Sequence, residues 1–171
     1  MLRFANWNQC SKVNTIVAPS GCNDGMTNES RGGAKMQIST ADLAGALRAA
    51  INDGYVAEMS GHTYTVSAPI VIHVTSSSSE PVGIDLGGAR IVSQITNGAP
   101  VIQIVAGPGV DLRYLTLSNF TIEGNGREGD GIQIVADGND RWVYNFNIDN
   151  VTVKNVGGYG LALHGSVFEG L

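Results

Sequence analysis

Short runs in which apolar and polar positions alternate with a period of two dominate the second half of the chain, as expected of half-buried strands. Val101-Ile-Gln-Ile-Val105 is echoed 30 positions later by Gly131-Ile-Gln-Ile-Val135, and Asp130-Gly-Ile-Gln-Ile134 returns 29 positions later as Tyr159-Gly-Leu-Ala-Leu163. Between these, Leu115-Thr-Leu-Ser-Asn-Phe-Thr-Ile-Glu-Gly124 recurs as Phe146-Asn-Ile-Asp-Asn-Val-Thr-Val-Lys-Asn155, 31 positions on. Strand-like units repeating at this length predict a stacked array, in which each unit buries its apolar face only against its neighbours. Period-2 register makes Ile102/Ile132/Leu161 and Ile104/Ile134/Leu163 inward columns, with Gln103/Gln133/Ala162 and Val105/Val135/His164 facing out. Upstream, Leu86 and Ile91 stand 31 residues before Leu117 and Ile122, which precede Ile148 and Val153 by the same step. Asn119 and Asn150 recur together. They read either as an inward hydrogen-bonded ladder or as turn residues tolerating the left-handed conformation.

The rest of the chain frames this array. Residues 1–38, rich in Asn, Ser and Gly, read as an irregular arm. Within 39–54, Leu43, Ala46, Leu47, Ala50 and Ile51 share one helical face, with Ser39 or Thr40 as N-cap and Asn52-Asp53-Gly54 as stop. This single helix suits the cover of a solenoid's first open edge. From residue 55 to 171 strands and turns alternate, with strands predicted at Thr63–Ser67, Pro69–Val74 and Gly83–Ser93. A strand starting near His164 runs to Leu171 with no capping segment after it, so the chain reads as a piece truncated at its C-terminus or one that pairs that edge with a second copy.

Composition narrows the function classes. With 171 residues, 43% hydrophobic and 15% charged, the chain can bury one real core. The 23 glycines, about twice ordinary usage, fall between apolar runs where the backbone must turn. A net charge of −5 and no dense Lys/Arg run argue against a nucleic-acid partner. There is no run of 18 apolar residues to span a membrane, and the N-terminus has no apolar h-region of a secretory signal. Cys10 and Cys22, the only cysteines, could close a disulfide or remain thiols.

The helix over 41–51 followed by Gly61-His-Thr-Tyr-Thr-Val-Ser-Ala-Pro-Ile-Val-Ile72, together with the coil repeat, resembles right-handed parallel β-helix proteins of the pectate-lyase-like superfamily. The resemblance covers about residues 39–171 and implies an all-β fold: a right-handed parallel β-helix of about four coils with one N-terminal capping helix. Its members include polysaccharide lyases, glycoside hydrolases and phage tailspikes, so it implies an extracellular or secreted setting. The acidic Gly-Asp-Gly stretch usual before the helix is absent. A sharper local match is Gly158-Tyr-Gly-Leu-Ala-Leu-His-Gly165, similar to the Gly-Tyr-Gly-Phe-Asp-Pro-His catalytic coil of mannuronan C5-epimerases. It places Tyr159 and His164 on that family's catalytic tyrosine and histidine. The catalytic aspartate falls on Ala162 and the proline on Leu163.

That match implies chemistry on uronates, where a base removes the C5 proton while the neighbouring carboxylate is neutralised. His164 and Tyr159 would fill the base and acid roles, with Arg141 or Lys154 as neutraliser; Trp142 beside Arg141 offers a stacking surface for a sugar, and Gln133 a hydrogen-bonding group. The bland alternatives are a Tyr159 packed at a turn, an exposed strand His164 and a solvated Arg141. Glu123, Glu128 and Asp130 cluster in one Gly-rich turn, and Asp137 and Asp140 in the next. Asp130, Asp137 and Asp140 are candidate Ca²⁺ ligands, and Glu128/Asp130 a loose carboxylate pair, although solvated turn acids fit the spacing as well. His62 and His73 stand without metal partners in the sequence. The expected function is a polysaccharide-binding or -modifying protein acting on an acidic glycan, epimerase- or lyase-like. The alternative is a non-catalytic β-helix module such as a tailspike, adhesin or surface protein. A homo-oligomer through the open C-terminal edge accords with either.

Overall fold

The computed structural model describes residues 40–53, 56–58 and 62–168. The arm predicted over 1–38, both cysteines, Ser39 and Gly54 lie outside the described residues. The helix α1 spans Thr40–Asp53, and twelve strands follow: β1 Val56–Glu58, β2 Thr63–Val66, β3 Ile70–Val74, β4 Val82–Ser93, β5 Ile102–Ala106, β6 Asp111–Arg113, β7 Leu115–Glu123, β8 Ile132–Ala136, β9 Trp142–Tyr144, β10 Asn147–Lys154, β11 Leu161–Gly165 and β12 Val167–Phe168. All pairings are parallel, and they form three sheets. Sheet A runs β1-β4-β7-β10 with β2 also on β4, sheet B runs β3-β5-β8-β11, and sheet C runs β6-β9-β12. Each circuit visits A, then B, then C, so the chain is a parallel β-solenoid of about three turns. The four rungs anticipated from the repeat are present in sheet B. In sheet C the first of them is reduced to a single bridge, Ser78 to Leu112.

Alternation puts one side of every strand into a common core. Ile70, Ile102, Ile132 and Leu161 share one column of sheet B, and Ile72, Ile104, Ile134 and Leu163 the other. The six isoleucines are all buried. Each contributes about 1.5–3 kcal/mol by leaving water. Leu161 and Leu163 stay 40% and 43% exposed, because β11 is the last strand of its sheet among the described residues.

The 31-residue step does not hold everywhere. Ile91 pairs with Ile122 as expected, but Leu117 lies beside Ile84 rather than Leu86. Between Asp85 and Ala89 the strand bulges, so Leu86, Gly87 and Gly88 stand against Asn119 alone. Gly87 and Gly88 take positive φ of 56° and 86° there, and Leu86 is still buried. A bulge of this kind adds residues without breaking the flanking register.

Asn119 and Asn150 combine a hydrogen-bonded ladder with the left-handed conformation, but the ladder faces outward rather than inward. Each is left-handed, with φ of 58° and 49°, and each sits at a bend within a sheet A strand. Asn150 Nδ2 donates to Asn119 Oδ1 at 2.7 Å, and Asn119 Nδ2 donates to Asp85 Oδ2 at 2.6 Å. The column is not inside the core: Asn119 is half-buried and Asn150 exposed. Glycine is not required because a short amide side chain tolerates this conformation and binds locally.

Helix α1 packs its buried Leu43, Leu47, Ala50 and Ile51 against β1–β4 and covers the first rung. It also caps the free edge of β3. Arg48 Nη2 donates to the Val71 carbonyl at 3.2 Å and Asn52 Nδ2 to the His73 carbonyl at 3.1 Å, while Asn52 Oδ1 accepts from the Thr75 N–H at 2.7 Å. Asn52 thus does more than stop the helix: it stands in for a missing neighbouring strand. No helix of the described residues is long and apolar enough to cross a membrane.

Two substitutions test this packing by urea unfolding. Asn52→Ala removes the partner of an edge donor and an edge acceptor, both exposed, and is expected to cost about 1 kcal/mol. Tyr64 is 2% exposed, and its hydroxyl has no partner among the described residues. Tyr64→Phe is therefore expected to leave stability unchanged or raise it by about 1 kcal/mol.

Candidate functional site

The outer face of sheet B and the turns before it bring together Gln133, Asp130, Tyr159 and His164. Val71, Gln103, Gln133 and Ala162 form one outward column, and His73, Val105, Val135 and His164 the next. Gln103 Nε2 donates to Gln133 Oε1 across the rungs. The Gln133 amide nitrogen reaches Asp130 Oδ2 at 3.2 Å and lies 3.3 Å from His164 Nε2. An amide nitrogen only donates, so this contact is a hydrogen bond in the tautomer whose Nε2 is free to accept. Gln103, Gln133, Asp130 and His164 are thus one connected polar array.

The turns between sheets A and B hold the array in place. The Gly98 N–H donates to the Arg127 carbonyl at 3.0 Å, Gly129 N–H to Ala99 at 2.8 Å, and Gly158 N–H to Gly129 at 2.9 Å, so the turns stack as closely as the strands. Asp130 Oδ1 accepts the Tyr159 N–H at 2.8 Å across this stack. A Cβ on Gly158 would stand 2.5 Å from Asp130 Oδ1, so glycine is needed there for the contact to form. The Gly-Tyr-Gly sequence consequently has a packing reason of its own. Tyr159 is 75% exposed, and Asp130, Tyr159, Leu161, Ala162, Leu163 and His164 line one shallow, open depression.

Glu128 is not a solvated turn acid. It is 2% exposed, and its carboxylate accepts the backbone N–H groups of Asn125 at 3.1 Å and Gly126 at 3.2 Å, with the Ser93 hydroxyl of the preceding rung at 3.5 Å. Burial pushes its carboxyl pKa up. The backbone N–H groups of Asn125, Glu128, Gly126 and Arg127 outweigh this, and the net position is below the ordinary carboxylate range. Asn125 Nδ2 completes the tie by donating to the Ser93 and Ile95 carbonyls. Glu128 organises the turn that ends in Asp130, and it is withdrawn from the surface a carboxylate pair would need.

The other predicted residues lie on different faces. Lys154 ends β10 in sheet A, 3.7 Å from Glu123 Oε2, and Arg90 pairs with the same carboxylate. The Arg90 hydrogen bond, aided by Lys154, keeps the Glu123 carboxyl below its usual range. Arg141 follows the turn between sheets B and C, 3.7 Å from Asp140, and Trp142 opens β9 in sheet C. Asp140 accepts the Gly109 N–H at 3.0 Å, and Asp137 is exposed in the same turn. Asp130, two strand-ends away, does not join them: among the described residues no three His, Cys, Asp or Glu side chains stand close enough to hold a metal ion.

Sequence reasoning passed over one arrangement on sheet C. Arg113, Tyr144 and Phe168 form an outward column, with the Arg113 guanidinium 4.8 Å from the centre of the Tyr144 ring and the Tyr144 and Phe168 rings stacked at 5.5 Å. Strands of two or three residues are too short to show a period; only the 31-residue step from Arg113 to Tyr144 could have signalled it.

Searches of protein-family models, of curated proteins and of solved structures find no match to this chain.

The Glu128 tie has a pH signature. A carboxyl whose pKa is lowered by folding stabilises the fold above its unfolded value of about 4.3, and that contribution is lost as pH falls through the lower folded value. Replacing the charged acceptor, Glu128→Gln is expected to cost about 2 kcal/mol at pH 7 in urea unfolding. The gap to the parent should narrow steadily below about pH 4.

Proposed function

We propose that the chain is a polysaccharide-binding β-solenoid that lays a glycan along the outer face of sheet B. The observation that carries this reading is the connected array of Gln103, Gln133, Asp130 and His164 beside the exposed Tyr159. Amide, carboxylate and imidazole groups supply both donors and acceptors for hydroxyls, and a tyrosine ring offers an apolar face with a polar tip. The array spans three rungs through Gln103, Gln133 and His164, which suits a polymer better than a small molecule. An extracellular or secreted setting accords with such a ligand.

A second reading adds chemistry: uronate-directed C5-epimerase- or lyase-like proton abstraction by Tyr159 and His164. It is favoured by the fact that these two side chains and Asp130 line one depression. Lys154 and Arg141, the candidate neutralisers, lie on other faces, so the substrate carboxylate would need a cation that arrives with the ligand. Against turnover, Ala162 is buried and carries no acid, and Asp130 already accepts from Tyr159 and Gln133. Binding without turnover is the conclusion.

Calorimetric titration with polymannuronate, polyguluronate and pectate, each with and without Ca²⁺, tests the proposal. Binding of at least one polymer is expected, weakened about tenfold or more by Tyr159→Ala or Gln133→Ala. If none of the polymers binds, the sheet B reading is wrong. A new unsaturated-uronate absorbance, or deuterium entering C5 in heavy water, would replace it by the enzymatic one. Turnover that emerges only in Ala162→Asp would mark a site that has lost its acid.

A further inference from the structure

We infer that the outer face of sheet C is a second, separate binding surface, built for the pyranose rings of a neutral glycan. Asp111 and Trp142 share one outward column and Arg113, Tyr144 and Phe168 the other, either side of the inward Leu112, Val143 and Val167. Since β9 lies between β6 and β12, Arg113 and Phe168 hold the Tyr144 ring from its two sides. Asp111 locks the guanidinium, with Arg113 Nη2 at 2.9 Å and Nε at 3.3 Å, and lies 3.4 Å from the Tyr144 hydroxyl. These contacts order the column before any ligand arrives, so less side-chain entropy is lost on binding than for free side chains. Trp142, 39% exposed, stands free beside it, directly over Asp111 in register.

Three properties select the occupant. A sugar ring presents an apolar C–H face and a rim of hydroxyls, which match an indole next to an Asp–Arg pair. The charges cancel: Arg113 is paired with Asp111, and Arg141 lies 3.7 Å from Asp140 in the turn before Trp142. A neutral ligand fits this surface better than a polyuronate. The patch is also small. It spans three short strands, about 10 Å across and about 10 Å along them, well short of a standard protein interface with about 800 Å² of accessible surface per partner. That area holds one or two sugar rings and is too little for a second protein.

This inference shares the carbohydrate class with the sheet B proposal but not its residues. The chain has two tryptophans, so a Trp7→Phe background leaves Trp142 as the sole indole emitter. Titrating that protein with cellohexaose, mannohexaose, xylohexaose and maltohexaose should give a saturable change in emission with at least one of them. The affinity should be the same at low and high salt, because no net charge is met. In calorimetry Trp142→Ala and Tyr144→Ala are expected to weaken it about tenfold or more. Arg113→Lys, which keeps the charge and the aliphatic stem but loses the planar fork, should weaken it with the fold intact by circular dichroism. His164→Ala, which breaks the sheet B array, should leave the Trp142 response in place, so the two readings fail separately. If none of the four sugars moves the emission, or if only a polyuronate does so and salt abolishes it, the sheet C assignment is overturned.

Discussion

In-register stacking of parallel rungs is the constraint on which the rest of this structure depends. Because every strand pairs with its counterpart one circuit away, a residue type placed once is placed again beside itself, inside or out. Isoleucines at 70, 102 and 132 make a continuous apolar column, and glutamines at 103 and 133 a continuous polar one. The turns obey the same rule, and their backbone hydrogen bonds run from rung to rung. Surface chemistry is therefore organised by column, and each of the three faces has its own character: ion pairs at the end of sheet A, amides and imidazole on sheet B, and stacked rings on sheet C.

Much of this was legible in the sequence, and where it was not the reasons are physical. The columns of sheet B could be read directly, since the short strands between Ile102 and Leu163 keep a nearly constant offset. Leu86 was misplaced because the Gly87–Gly88 bulge inserts residues that only backbone geometry reveals. The acidic turn was legible as a cluster but not as a structure: nothing in its spacing tells Glu128, folded into its own backbone, from Asp130, which reaches the next rung. Lys154 and Arg141 are close to His164 along the chain yet lie on other faces. One circuit passes three faces, so nearness within thirty residues says little about which face is shared.

The Gly-Tyr-Gly segment shows how a local motif and a packing demand can coincide. Gly158 leaves room for Asp130 Oδ1 to reach the Tyr159 N–H, and this demand would exist with no ligand at all. What distinguishes the site is the company Tyr159 keeps. Its ring projects beside a depression that also receives His164, on a face whose polar groups already bond one another across the rungs.

The amide column of sheet A has a direction. Asn150 gives its hydrogen to Asn119, and Asn119 gives its own to Asp85, so the chain of dipoles terminates on an anion. Asn119 both gives and receives, and Asn150 gives. The rung of Asp85 only receives. Duplication of a unit of the Asn119 type would prolong the column without breaking it, whereas duplication of the Asp85 unit would set carboxylate against carboxylate. The column thus has two kinds of member, one that can stand between neighbours and one that can only end the series.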